Sequence, residues 1–360
     1  MLGEQDHDDA PTFLAKTRLI EYLHEKKGFD VLAFESDFFA LNYGWDNLKK
    51  VEREIDTFIR FNIFPAWTYC HTCSNLFYDY IPKTYKTATP LIISGFDNQM
   101  HLNYSSKNLV AKLDSVVRLL NLSITKMPEY SSEVIALLTS QMNWYDIEER
   151  DTTLFAKYDY YLNLIKLQLG EKLNTNDFWY LVDENLIQKY LRIKGNGNID
   201  NRDYQMAQNL KWLSENKFQD KKIIVWTASL HISKKSENYQ IKYKVDDTFM
   251  GTYFAEDTIA LRSTYYLGFT SFNGQVGWVG EKGHKILEPQ YNSFENWISK
   301  KSNFSFVDFK TYNNIFDKKQ EAFNMSGFGH HNTDMYWTKI FDGVFFIREM
   351  YPCKNIFQWK

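Results

Sequence analysis

The chain has 360 residues, 44% hydrophobic and 17% aromatic, which excludes disorder and supplies a large core for one large domain or two closely packed ones. Lys and Arg number 42 against 45 Asp and Glu, so no global basic field points to nucleic acid, and a small molecule is the expected partner. No apolar run approaches the roughly 20 residues that span a bilayer. No secretory signal opens the chain, and a cytoplasmic setting is expected if it is complete at Met1.

The opening MLGEQDHDDAP places Glu4, Asp6, His7, Asp8 and Asp9 within six positions. Met1-Leu2 reads as the end of a buried first strand, with an upstream segment expected. Pro11 suits a first helical turn, Asp9 can cap it and Gly28 can end it, so 10–27 reads as a helix. At 100° per residue Phe13, Leu19, Ile20 and Leu23 share one face with Lys16 at its middle, while Arg18 points away.

DVLAFE (30–35) reads as a buried parallel strand followed by a helix over 37–61. LIISGFD (91–97) and KKIIVWTASLH (221–231) repeat the format, an apolar strand running into small or polar residues. Between them, 105–190 shows only helical periodicity and is expected to be a helical insertion forming one wall of the cleft. GNGNIDNRD (195–203) reads as a turn, and Met206, Leu210 and Leu213 set a helix leading to the 221–227 strand. Asn273-Gly274 predicts a hairpin, and FDGVFFIREM (341–350) a closing strand. The fold class expected is α/β: one domain over 1–360 with a mixed, largely parallel sheet flanked by helices, extended by antiparallel strands.

Three cysteines do not make a disulfide framework. Cys70 and Cys73 form a C-x-x-C, but Cys353 is remote in sequence, and a bland helix surface is favoured over a redox or zinc site. His24 and His101 read as surface residues, and His330-His331 as part of a loop.

In open α/β sheets ligands bind beyond the carboxyl ends of the strands. Glu4 and His7, Glu35, Asp97 and His231 all fall at such ends, with Lys16 close by on the inward helix face. A histidine among carboxylates suits general-base activation of water. Glu4 and Glu35 could equally be buried ion-pair partners of Lys16. No G-x-S-x-G elbow offers a serine nucleophile. A divalent metal held by Glu4, His7, Glu35 and His231 is the alternative that their ligand types allow.

GEQDHDDAPTFLAKTRLIEYLHEKKGFDVLAFESD resembles the opening signature of the erythromycin esterase family, G-E-x-x-H-G, then a helix, G-F and a strand ending in Glu. GFDNQ, NRDYQMAQNLKWL, KKIIVWTASLH, MGTYF and FDGVFFIREMYP resemble that family's later motifs in order. The resemblance implies an ester or lactone hydrolase acting on a macrolide antibiotic-like substrate, in a family whose members differ in metal dependence; no cofactor is expected to be required. By it His7 is the base and Glu4 and Glu35 are its surrounding carboxylates. Lys16 matches a basic position, and His231 the second histidine of W-A-H-N-x-H. Asp97, Arg202 and Trp226 are expected as substrate contacts, with Asp203 in the Arg202 motif. Two positions depart from the pattern: Asp8 replaces a glycine and Ala228 the first histidine of W-A-H-N-x-H. A degenerate member that binds a glycan or bulky apolar ligand without turnover is the alternative.

Overall fold

The structure, a computed structural model, describes residues 1–7, 9–140, 142, 152–194, 199–234, 248–316 and 321–357. Asp8 and residues 195–198 of the expected turn lie outside them.

Three apolar runs form the parallel half of the sheet: β1 (Phe29–Asp37), β2 (Ile92–Asp97) and β3 (Lys222–Trp226), in order β2-β1-β3. Burial on both faces explains why they read as continuous apolar stretches rather than alternating ones. Met1 to Gly3 then lie beside β3. Leu2 bridges in parallel to Trp226 on one side and to Leu267 on the other, as expected for the end of a first strand. Beyond it come β4 (Leu267–Val276), β9 (Gly343–Met350) and β6 (Phe304–Asp308), while β5 (His284–Lys285) pairs with the end of β4.

The carboxyl-terminal third differs from expectation in two ways. Asn273-Gly274 does not turn but lies inside β4, paired with Glu349 and Met350 of β9. Gly274 has φ +116°, and a Cβ there would meet the Met350 carbonyl oxygen at 2.1 Å, so the glycine serves a close strand approach. The closing strand β9 runs parallel to β4, and only β5 and β6 extend this sheet antiparallel. A separate hairpin, β7 (Phe323–Phe328) with β8 (His331–Met335), turns through Gly329 and His330, both at positive φ.

Helix α1 (Ala10–Lys27) has Pro11 in its first turn and ends at Gly28, φ +65°. Its capping carboxylate behaves otherwise than expected: Asp9 makes no side-chain cap bond. One oxygen accepts from the Asp6 N–H and the other pairs with His330. The helix expected over 37–61 is interrupted. A π-turn at Ala40–Gly44 and a short turn at Trp45–Asn47 give way to extended backbone at Leu48, and α2 (Glu52–Asn62) follows. The Lys50 ammonium donates to the Trp45 and Leu48 carbonyls, satisfying groups that a continuous helix would have used.

Helices α3 (Asn103–Leu119), α4 (Thr152–Gly170) and α5 (Phe178–Lys194) make the helical insertion, with α6 (Ile199–Trp212) leading back into β3. The insertion has its own apolar core, which meets the sheet at Phe38, Phe39 and Met100.

The cysteines also correct the sequence reading. Cys70 and Cys353 form a disulfide across 283 positions, and Cys73 is buried and free. Cys70 bridges antiparallel to Asn355, so the chain end returns to the segment after α2 and makes a sequence-remote pair a spatial neighbour. His24 is buried against the Tyr80 hydroxyl at 2.7 Å rather than exposed.

Candidate active site

The site lies at the carboxyl ends of β1, β2 and β3 and at the loop following Leu2. Gly3 lets that loop press on β3's continuation: a Cβ there would meet Ser229 Oγ at 2.5 Å. The Ser229 N–H donates to the Glu4 carbonyl at 2.7 Å, holding Glu4 at the strand edge.

The Glu4 side chain is fully buried, and four groups converge on its two oxygens. Oε1 takes the Trp67 indole N–H at 2.8 Å and faces His7 Nδ1 at 2.7 Å. Oε2 takes the Trp226 indole N–H at 2.9 Å and the Lys16 ammonium at 2.5 Å. Lys16 Nζ also donates to the Thr227 carbonyl at 3.3 Å. A carboxylate facing Nδ1 fixes that nitrogen as the protonated one and leaves Nε2 as the basic one. The His7 side chain is 28% exposed, and its ring meets Phe64 and Trp67 edge to face. Trp278 packs against Phe64 and adds an exposed aromatic rim.

The second carboxylate, Glu35, sits on an irregular stretch of β1. Phe34 pairs with Gly95 and Asp37 with Asp97, so β1 carries one extra residue there. Such a bulge re-aims a side chain. Gly95 permits it, since a Cβ would meet the Ser36 and Asp37 carbonyl oxygens at 2.6 and 2.7 Å. Glu35 Oε1 accepts from Arg202 at 2.6 Å and lies 3.2 Å from His231 Nε2. Its Oε2 accepts from the Thr227 hydroxyl at 2.6 Å and the Ala228 N–H at 3.0 Å. Arg202 also forks onto Asp97 at 2.7 and 3.1 Å. His231 Nδ1 faces Asp203 at 2.6 Å, and Asp203 accepts the Met250 N–H at 2.8 Å.

These contacts set the charges. Burial opposes charge on Glu35, but His231 and Arg202 outweigh it and hold the carboxyl well below its ordinary range. Burial likewise opposes protonation of His231, yet Asp203 and Glu35 push it up to about 10, so it is an imidazolium at neutral pH. For His7, burial is overcome by the Glu4 hydrogen bond and the charges of Glu35 and Glu4, raising its pKa. Burial lowers Lys16 against the attraction of Glu4.

The structure thus brings all eight expected residues into two neighbouring clusters, but with different tasks. Lys16 and Trp226 are fully buried and reach only Glu4 and its surroundings. Trp226, expected as a substrate contact, is buried with its indole N–H on Glu4 and so positions that carboxylate. Asp97 is buried with both oxygens on Arg202, and both nitrogens of His231 face carboxylates. Of the eight, His7 keeps the most side-chain exposure, followed by Arg202 at 12%.

Glu4, His7, Glu35 and His231 do not converge as a ligand set for a metal ion. Among the described residues no group of three or more His, Cys, Asp or Glu is arranged to hold one. The lone pairs of both glutamates already face indole, ammonium, guanidinium, hydroxyl or amide donors.

Trp67 and Thr227 were missed by sequence reasoning. Trp67 stands in WTYCHTC, where the cysteines drew the attention, and its single donor gives no periodic signal. His330, expected in a loop role, is buried: Nε2 faces Asp9 at 2.7 Å and Nδ1 faces Ser271 at 3.0 Å. Asp9 in turn accepts the Asp6 N–H, and Asp6 accepts the His7 N–H at 2.7 Å, so His330 braces the His7 loop.

A mixed, partly parallel sheet flanked by helices, with a carboxylate-held histidine near the ends of its parallel strands, defines an α/β protein. The erythromycin esterase family profile matches residues 24–350, and the chain belongs to that family. Glu35, Asp97, Arg202, Trp226 and His231 fall inside the match; Glu4, His7 and Lys16 precede it. A Bacillus subtilis (strain 168) protein named "Putative hydrolase YbfO" is 24% identical over 299 residues, covering 76% of this chain and 64% of its own. The chain thus spans less than two thirds of that relative's length. Family and relative support a hydrolase. Among solved structures, a Bacillus cereus protein superposes with TM-score 0.71 at 19% identity, covering 99% of this chain and 89% of its own. A mutant of erythromycin esterase EreC in its open conformation gives 0.70 at 15% identity, covering 99% and 92%. A succinoglycan biosynthesis protein gives 0.68 at 17%, covering 99% and 88%. At these identities they show a shared fold.

Proposed function

We propose that the protein hydrolyses an ester or lactone of a bulky, macrolide-like substrate with water activated by His7. The observation that carries this reading is the partly exposed imidazole whose Nδ1 is held by Glu4 at 2.7 Å, which leaves Nε2 uncommitted. Nε2 takes a proton from water as the hydroxide oxygen adds to the acyl carbon. The tetrahedral intermediate then expels the alkoxide, which takes the proton back from His7, giving a carboxylic acid and an alcohol. Arg202, the cation of the site that keeps the most side-chain exposure, is the group assigned to stabilise the developing oxyanion. Lys16 acts through Glu4, and His231 through Glu35. Phe64 and Trp278 offer an apolar rim for a large substrate.

The decisive experiment incubates wild type and His7→Ala with a panel of macrolides and model lactones and follows the gain of one water by mass spectrometry. Wild type turns over at least one compound, and the variant loses at least about a thousand-fold of kcat/KM. Turnover retained in His7→Ala overturns the assignment.

Ala228 favours a second reading. It stands where the family pattern has a histidine and offers Glu35 only a backbone N–H. Saturable macrolide binding without product would identify a binding protein for a bulky apolar or glycan ligand. Metal analysis of protein purified without chelators tests the metal alternative in the same preparation.

A further inference from the structure

The turn of the β7–β8 hairpin braces the His7 loop through His330, and the open end of the same hairpin lines a cleft of about 530 Å³. Among the described residues that line this cleft, none belongs to the Glu4 or Glu35 cluster. Strand pairing sets Asn324 of β7 opposite Asp334 of β8, so the amide and the carboxylate share one face of the hairpin. Asn324 Nδ2 donates to Asp334 at 3.4 Å, a long bond. Asn324 itself is 2% exposed, lines the cleft, and has an amide oxygen with no partner among the described residues. A buried acceptor of that kind calls for a donor supplied by solvent or by a ligand. Asn292 and Glu321 set further polar groups at the exposed rim.

The rest of the lining is largely aromatic. In FENW (294–297) Phe294 is buried and Trp297 is 47% exposed. Phe294 and Phe323 pack against the indole, with ring centroids 5.5 and 5.1 Å away. Tyr312, on the helix Phe309–Phe316, lies nearly parallel to it, at 11° and 6.2 Å. An indole held by three rings and still half open to water is a rigid platform, so a ligand that stacks on it orders no mobile side chain.

The chemistry of the lining narrows the ligand. Among the described residues no Lys or Arg lines the cleft, which does not suit phosphate or another anion. An acyl chain would leave the amides and carboxylates unmet. An organic cation is drawn to ring faces, but near-parallel rings make a floor rather than a cage, and carboxylates open to solvent hold a cation weakly. A cation also offers the amide N–H groups no acceptor. A pyranose meets each demand: its C–H face packs on the indole, and its hydroxyls donate and accept at the amide and carboxylate edge. We propose that this cleft is a carbohydrate-binding site for a neutral oligosaccharide, with one sugar face on Trp297 and its hydroxyls on Asn324 and Asp334. The proposal is independent of the hydrolytic reading.

The test titrates the full chain with cellotetraose, whose equatorial hydroxyls leave both ring faces as C–H surface, and reads binding by saturation-transfer nuclear magnetic resonance. The expected result is saturable binding that weakens about tenfold or more in Trp297→Ala and about threefold in Asp334→Ala. Trp297→Phe keeps a smaller ring face and recovers part of the first loss. Near-ultraviolet circular dichroism checks that each variant is folded. Absence of binding to the wild type overturns the proposal. Binding that Trp297→Ala leaves unchanged overturns it too, and moves the saccharide to another part of the surface, the His7 cleft included. Tetramethylammonium is titrated in parallel. Binding of that ion, lost in Trp297→Ala and without any binding of the saccharide, assigns the platform to organic cations and refutes the sugar.

Discussion

Glu4 and Glu35 are the same residue type, both buried, both at strand ends and both saturated with partners, yet their surroundings differ in kind. Glu4 is held by two neutral indoles and one ammonium, and its remaining neighbour is a histidine with a ring nitrogen to spare. Glu35 is held by a guanidinium, an imidazolium, a hydroxyl and an amide, and its histidine faces a carboxylate at each nitrogen. Reactivity in such a site is therefore set less by which carboxylate is present than by what its partners leave uncommitted. One half offers a base, and the other a rigid charged frame.

The strongest way to break this contrast is to remove the cation from the Glu4 half. Lys16→Met leaves a buried carboxylate whose one remaining charged neighbour is His7, when protonated, and is expected to cost about 3 kcal/mol or more in urea unfolding above the His7 titration. Adding Glu4→Gln should recover part of that loss, because the unpaired charge goes with it. A cost below about 1 kcal/mol for the single variant would mean that the indoles alone hold Glu4.

In the Glu35 half the expected loss is smaller and depends on pH. His231→Asn should cost about 2–3 kcal/mol near pH 6, less than a fully unpaired charge because Arg202 stays on Glu35. The folded pKa of His231 is raised to about 10. Its contribution is thus fully present below the unfolded value of about 6.5 and is lost as pH rises through about 10. Urea midpoints of wild type and variant should converge over that window. A gap that stays constant with pH would show His231 to be a neutral packing residue.

Much of the sheet was legible because parallel strands buried on both faces leave unbroken apolar runs, and their ends delivered Glu35, Asp97 and His231. Lys16 was legible as an anomaly on the inward face of an amphipathic helix. The tasks were not legible, because exposure decides them: Trp226 looks like an aromatic wall until its N–H is found on Glu4. Asn273-Gly274 misled because the same glycine freedom that makes a turn also admits a neighbouring backbone at 2.1 Å from the would-be Cβ. The Cys70–Cys353 pair was hidden by 283 positions of chain, a separation that says nothing about distance once the chain end folds back along Cys70.

The smallest expected effect gives the finest test of the Glu4 half. Trp67→Phe removes one neutral donor and leaves the ring packing with Phe34 and Phe64. It should cost about 1.5 kcal/mol, the lower end for a hydrogen bond to a charged group. The catalytic consequence has a definite sign. With one donor fewer, more negative charge stays on the oxygen that faces His7 Nδ1, so the imidazolium is favoured further and its already raised pKa rises again. His7 works as a base only when neutral, so the acidic limb of kcat/KM should move to higher pH by about half a unit, with the plateau little changed. Trp226→Phe weakens the other oxygen, which belongs to Lys16, and should shift that limb less. Equal shifts would mean that Glu4 acts on His7 as a whole charge. Unequal shifts would assign the tuning to the single oxygen that Trp67 and His7 share.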